Sequence, residues 1–401
     1  MGSAGCSADC EKAGRSESLA GLGWYSSEKH WKGEHHMDRR NFLTITAALL
    51  ATSAAVPRTA RAQARFAPTP GMWREYGIVT RVKIASPKGK TQAWIPVPSV
   101  ETDWFKSGAT TWTTNAQAAT LKRDPKSGVT MVHAEWTESE ASPSINVISR
   151  ISTQDRAIDL SKPGNAVPLS DEDRRLYTAA TLLIPTDGIV KEFSDRITAG
   201  AQTDVEKARR IYDWVVANTF RNPTTRGCGI GDVASMLQTG NLNGKCADLN
   251  ALSAGLARAA GLPARDIYGL RVAPSKFGYK SLGANSSNVT KAQHCRAEVY
   301  LSGFGWVPMD PADVRKVILE EPPGNLQLDD PKAVAVREAL FGSWEGNWLA
   351  YNFGNDVALP GADGPLVDFL MYPEAESGGE RLDCLDPDSF KYVIVSRDLA
   401  T

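Results

Sequence analysis

The chain has 401 residues, 42% hydrophobic and 23% charged, an ordinary globular composition long enough for two domains. Its 45 Lys+Arg against 46 Asp+Glu give a net charge of −1, so no basic excess marks a nucleic-acid binder. There is no long charge run, no internal repeat at solenoid or propeller periods, and no HExxH-type metal spacing.

The one strongly hydrophobic segment begins at Met37, in "MDRRNFLTITAALLATSAAVPRTARAQ". Arg39 and Arg40 precede Phe42 and Leu43, a short apolar run follows, and Ala60-Arg61-Ala62 forms an A-x-A-like cleavage site. The run is too short to span a bilayer, so 37–62 reads as an export signal of twin-arginine type. Cleavage would leave no stable membrane span and a periplasmic or secreted chain; the alternative is an uncleaved anchor. Residues 1–36 lie upstream of this signal and read as an over-long gene start or a disordered extension.

Residues 63–175 are expected to form a mainly β, sandwich-like domain and its linker. The short alternating runs "YGIVTRVKI", "QAWIPVP", "ATLKRD", "VTMVHAEW" and "INVISRIS" are punctuated by Gly, Pro, Asn and Ser. "DLSKPGNAVPLSDEDRR" then leads into a second domain, 176–401, with a C-terminal extension. There Thr203 and Glu206 form a capping box ahead of a helix with Val205, Ala208, Ile211, Tyr212 and Val215 on one face. A further helix is expected near "VASMLQTG". After Cys246, Leu249, Leu252, Leu256 and Ala259 recur at helical spacing until Gly261 and Pro263 end the helix. "PARDIYGLRVA" reads as a strand and 274–293 as a long polar loop, either a lid or disordered surface. "HCRAEVYL" and "WVPMDPA" form a hairpin about Ser302-Gly303-Phe304-Gly305. The fold class is therefore α+β.

Six cysteines and five histidines are scarce enough to be weighed one by one. Past the signal only Cys228, Cys246, Cys295 and Cys384, with His133 and His294, remain. Cys228 and Cys384 sit in turn-like surroundings and are expected to pair as a disulfide, the alternative being two free buried thiols. Cys295 follows His294 on a strand, faces the opposite side and reads as a core thiol. Cys246 stands at the first turn of its helix, where unpaired N–H groups favour a thiolate. His294 is the histidine able to pair with it, and Asp310 on the partner strand is placed to orient that imidazole, with Asp313 as a weaker rival. The order Cys246, His294, Asp310 on helix, strand and strand fits the logic of an activated nucleophile with an oriented base. Asn347, Asn352 and Asp356 are candidates for lining the groove, with plain packing favoured. "GNLQLDD" falls short of a calcium site.

The stretches "GKCADLNALSAGLARAAGLPAR" and "HCRAEVYLSGFGWVPMDPAD" resemble the transglutaminase-like superfamily of papain-like cysteine enzymes. Gly244, Cys246, Asp248, Arg258, Gly261, Pro263, Ala264 and Arg265 match its first block. His294, Glu298, Tyr300, Gly303, Gly305, Trp306, Asp310 and Pro311 match its second. The resemblance covers about 180–315 and departs at Arg296, where the family usually has Trp. It implies a papain-like core in which Cys246, His294 and Asp310 process amides of a protein or peptide substrate through a thioester. The outcome is either hydrolysis or acyl transfer, with no metal or organic cofactor. The competing reading is a non-catalytic peptide- or glycan-binding module that retains the fold; a third is a structural protein with Cys246 in a disulfide.

Overall fold

Alternation drives the N-terminal half. The computed structural model describes residues 65–399 except 387 and 389, so the segment 37–62 and everything before it lie outside the described residues. In β1 (Arg74–Ile84) Tyr76, Ile78, Thr80, Val82 and Ile84 are buried on one face. β2 (Thr91–Pro96) is buried throughout, and β5 (Thr130–Trp136) nearly so. β4 (Ala118–Arg123) is a polar edge strand, and β6 (Ser144–Thr153) alternates like β1. β3 (Phe105–Thr114) has no counterpart among the expected strands. Its Thr- and Ser-rich sequence buries only Phe105, so no period-2 hydrophobic signal marks it.

The chain then passes β7 (Arg156–Ala157) and enters a helical region: α1 (Asp171–Thr178), α2 (Gly188–Thr198), α3 (Asp204–Asn218) and α4 (Val233–Thr239). At the start of α3 the Thr203 hydroxyl accepts the Glu206 N–H at 3.1 Å. The Glu206 carboxylate reaches back to the Gln202 N–H at 2.6 Å, so the return arm of the box lands one residue early. Between α3 and α4 lies β8 (Phe220–Arg221), which pairs in parallel with β9 (Asn243–Gly244). α5 (Cys246–Ala259) follows at once, and all fourteen of its residues are buried. A helix buried on every side must be small as well as apolar. At Gly255 a Cβ would approach Ile184 Cγ2 to 2.9 Å.

α5 packs against β10 (Ala264–Arg271) and β11 (Gln293–Leu301), which with β12 (Gly305–Met309) and β14 (Trp348–Asn352) make one sheet in the order β12–β11–β10–β14. α6 (Pro311–Glu320) and α7 (Pro331–Ala339) follow the β11–β12 hairpin, and β13 (Ser343–Trp344) pairs with β7. Among the described residues no helix is long and apolar enough to cross a membrane.

The C-terminal segment returns to the N-terminal half. β15 (Glu374–Ser377) pairs with β2 and with β16 (Glu380–Arg381), while β17 (Phe390–Asp398) pairs with β1 from Tyr76↔Asp398 to Ile84↔Phe390. The two sheets are β17–β1–β6–β3 and β16–β15–β2–β5–β4. Their facing residues, among them Val82, Ile95, Trp136, Ile145 and Phe390, form a sandwich core. What reads in sequence as an extension of the second domain therefore completes the first, because β1 and β2 would otherwise be left with unpaired edges. A second, larger core runs without a break from Tyr76, Ile78 and Ile394 into α5, β10 and β11.

Ile394 should therefore behave as a core residue of the whole fold. We expect Ile394→Ala to cost about 2–5 kcal/mol, lowering the urea midpoint in a single transition with unchanged slope. A separate early transition, or no shift, would show the C-terminal strand to be independent of the rest.

Candidate active site

The residues before α5 fix where its first turn points. The Asp248 carboxylate accepts the N–H groups of Ile230, Gly231 and Lys245, each at 2.9 Å. The Ala247 N–H donates to the Cys228 carbonyl at 2.9 Å. The loop 227–231 is thereby clamped across the helix start. Gly229, at φ +94°, lies so close to Asp248 that any side chain there would overlap the carboxylate. Burial pushes the Asp248 carboxyl up despite its three N–H donors. Cys246 is the first residue of the helix and is 3% exposed.

His294 begins β11 and Asp310 ends the partner strand as the N-cap of α6. Asp310 Oδ2 lies 2.7 Å from His294 Nε2, while its Oδ1 accepts the Asp313 N–H at 3.0 Å and the Asn250 amide at 3.3 Å. Pro311 at the first helical position suits that cap. Asp313 also reaches the imidazole, at 3.3 Å from Nε2, so both carboxylates weighed in sequence face His294. Two guanidiniums offset them: Arg271 is hydrogen-bonded to Asp313, and Arg296 Nε stands 3.7 Å from Asp310. With Nε2 committed to carboxylates, Nδ1 is the ring nitrogen left for the Cys246 thiol, against which His294 packs.

Burial and Arg271 oppose the imidazolium, but Asp313 and Asp310 outweigh them and His294 is raised to about 9. The Cys246 thiol is held well below its ordinary value by the neighbouring Cys228 thiol, then by that of Cys295, and by the proximity and charge of His294, all against burial. Cys228 is shifted the opposite way by the same contact. The arrangement favours a thiolate–imidazolium pair.

The structure thus brings Cys246, His294, Asp310 and Asp313 together and leaves other candidates aside. Cys228 and Cys384 are free thiols, which corrects the expected disulfide. Cys228 turns inward toward Cys246 and donates to the Gln293 carbonyl at 3.4 Å, and Cys384 is engaged by Glu374. Cys246 is likewise free. Cys295 is buried 4.0 Å from the Met371 sulfur, yet its thiol also lies against Cys246, a contact that strand alternation did not suggest. His133 stacks on Trp94 in the sandwich and bonds Gln92. Asn347 and Asn352 bind backbone carbonyls, and Asp356 accepts the Leu182 N–H; none of the three lines the cavity at Cys246. The loop 274–293 is an ordered wall with Tyr279, Leu282 and Val289 buried, and Glu321 accepts the N–H and hydroxyl of Ser281.

Sequence reasoning missed Arg271 and noted Arg296 only as a departure from the family pattern. Arg296 does not occupy the groove. It is buried over the Trp344 and Trp348 rings and donates to the Glu345 carbonyl. An arginine inside the apolar run "YGLRVA" was the available signal for Arg271, since a buried guanidinium requires a carboxylate. His294, Asp310 and Asp313 also form the one cluster among the described residues with metal-ligand spacing. Both carboxylates are already matched by Arg271 and Arg296, a cationic surround that disfavours a dication.

A cavity of about 800 Å³ opens at Cys246 and His294, walled by Cys228 and Tyr372 on one side and by Phe390 and Tyr392 of β17 on another.

A family model described as the transglutaminase-like superfamily matches residues 191–311. An uncharacterized protein of Haemophilus influenzae is 39% identical over 327 residues, covering 78% of this chain and 87% of its own. The chain belongs to the transglutaminase-like superfamily. The crystal structure of a candidate cysteine protease from Cytophaga hutchinsonii shares the fold, with a TM-score of 0.51 at 14% identity over 83% of this chain and 93% of that one. The periplasmic domain of TgpA from Pseudomonas aeruginosa is more distant, with a TM-score of 0.33 at 12% identity over 63% of this chain and 98% of that one. The core is transglutaminase-like, with a mainly β region before it.

Several family-matching residues brace that core. Glu298 is buried between Arg265, at 2.8 Å, and Arg156. Arg258 donates to the Ala264 carbonyl at 2.8 Å, and the Tyr300 hydroxyl to that of Val167 at 2.8 Å.

Two outcomes follow from this geometry. Asp248→Ala would strand three backbone donors, each costing about 1–3 kcal/mol, and should lower the thermal midpoint by many degrees; an unchanged midpoint would show the clamp to be dispensable. Asp313→Asn removes a carboxylate that favours the imidazolium, so the His294 titration, followed by NMR of its ring protons, should move down from about 9.

Proposed function

We propose that this protein is an exported, cysteine-dependent amide-processing enzyme. The observation that carries the proposal is the Cys246 thiol at the α5 N-terminus, packed against an imidazole that Asp310 holds at 2.7 Å.

Thiolate Cys246 attacks the carbonyl carbon of a peptide or side-chain amide. The developing oxyanion is held by N–H groups at the helix start, beginning with that of Cys246. His294 gives its proton to the leaving nitrogen as the C–N bond breaks, leaving a thioester. Water, deprotonated by His294, then releases an acid; an amine in its place gives a new amide. Asp310 keeps the imidazole oriented, and Asp313 raises its proton affinity further.

The test is the rate of iodoacetamide labelling of Cys246 against pH, read by peptide mass spectrometry beside Cys384 and in a His294→Ala variant. An unperturbed thiol is only about 0.3% thiolate at pH 6. Rapid labelling at pH 6 that collapses in His294→Ala is expected. Labelling that tracks an ordinary thiol in both proteins would favour the binding-module reading.

Export is part of the same proposal. Replacing Arg39 and Arg40 by Lys should leave the full-length chain unprocessed inside a bacterial host on fractionation, whereas the parent is found outside the cytoplasm. Equal distribution of the two would remove the twin-arginine assignment.

A further inference from the structure

Among the described residues, the cavity at Cys246 is lined by seven cationic residues and by no carboxylate. Composition does not explain this, since the chain as a whole carries one more acidic than basic residue. The cations come from separate elements: Arg221 and Lys245 precede α5, Arg271 ends β10, and Lys316 is on α6. Lys291 lies in the loop before β11 and Lys391 on β17, facing the same space from the other side.

Ion pairs do not neutralise this lining. Arg226 is matched by Asp383 at 2.5 Å, and Arg271 by Asp313. A single carboxylate, Glu320, serves both Arg221 at 2.6 Å and Lys316 at 3.7 Å. Lys245, Lys291 and Lys391 have no ion-pair partner among the described residues. Gln293 also lines the cavity, and among the described residues its buried side-chain amide nitrogen has no acceptor. A cavity of one sign with low-dielectric walls concentrates ligands of the other sign.

Resting on the amide-processing reading above, we propose that the acyl donor is an acidic peptide whose carboxylates, flanking the reacting amide, are held by Lys245, Lys291 and Lys391. The rings of Tyr372 and Tyr392, which also line the cavity, supply apolar contact for the peptide between those charges. A polyanion such as nucleic acid is the poorer match. The cations are gathered inside one cavity instead of spread along a stripe, and the thiol asks for a carbonyl carbon.

The test is protection of Cys246 from iodoacetamide by short peptides blocked at both ends that differ in one flank residue: Glu, Gln or Lys. The Glu peptide should protect at about tenfold lower concentration than the Gln peptide, and the Lys peptide least. That preference should shrink in a Lys291→Gln/Lys391→Gln variant and in 0.5 M salt, where the screening length falls to roughly 4 Å. Both lysines are exposed, so the variant keeps its fold. A neutral peptide ending in a free carboxylate forms the other arm. If it protects better than the blocked Glu peptide, the carboxylate recognised is the chain terminus. Equal protection by all peptides, or protection by none, overturns the proposal. Labelling without peptide reports separately on the thiol: if that rate is ordinary at pH 6, the amide-processing reading fails first.

Discussion

Two buried carboxylates on one imidazole set the terms for the rest of this structure. Asp310 and Asp313 repel one another away from water, and burial together with that repulsion pushes the Asp310 carboxyl up. Arg271 and Arg296 make the pair tolerable, and Arg271, then His294, hold Asp313 well below the usual carboxylate range, burial notwithstanding. With these four groups charged, the cluster is neutral around a neutral thiol and imidazole. It is equally neutral after the proton of Cys246 has moved to His294. The transfer separates charge locally but adds no net charge to the interior, and that additional charge is the costly part of ionising buried groups.

The frame around the cluster follows from the same economy of buried polar groups. α5 has no solvent-facing side, so its first turn cannot rely on water to satisfy the backbone. Asp248 substitutes for water there and, by doing so, folds the loop 227–231 over the thiol. Asn250, one turn along, ties the helix to the Cys295 carbonyl at 2.8 Å and to Asp310. Trp348 donates to the His294 carbonyl at 3.0 Å from the opposite edge of the sheet. Helix, hairpin and sheet are thus joined through polar bonds that meet at the cluster.

Much of this was legible locally. α5, β10, β11 and β12 announce themselves because a helical apolar repeat, a Gly-x-Pro stop and a glycine hairpin occur in sequence. Cys246, His294 and Asp310 stand out through scarcity and position. The Asp-Pro step is a helix cap that carries a second role. What stayed hidden depends on contacts made through space. β3 hydrogen-bonds well without an apolar face, so its threonines gave no period. "FKYVIVSRD" looks like a strand, but nothing local says that its partner is β1, roughly 300 residues earlier. Cys228 approaches Cys246 through a glycine loop whose path is set by Asp248, and Arg296 serves Asp310 from behind instead of serving the groove. Each of these is a property of assembly, not of spacing.

The long reach of β17 affects the order in which this protein can be made. Strand β17 is both the outer partner of β1 and a wall of the space in front of Cys246. The helix carrying the thiol is synthesised well before that strand. During translation the thiol can therefore be present while the cavity is still open on one side, and a pairing this distant in sequence is slow to form. Until β17 docks, a nascent chain lacks both the aromatic wall and Lys391. A frameshift late in the gene would then remove part of the cavity itself, not a dispensable tail.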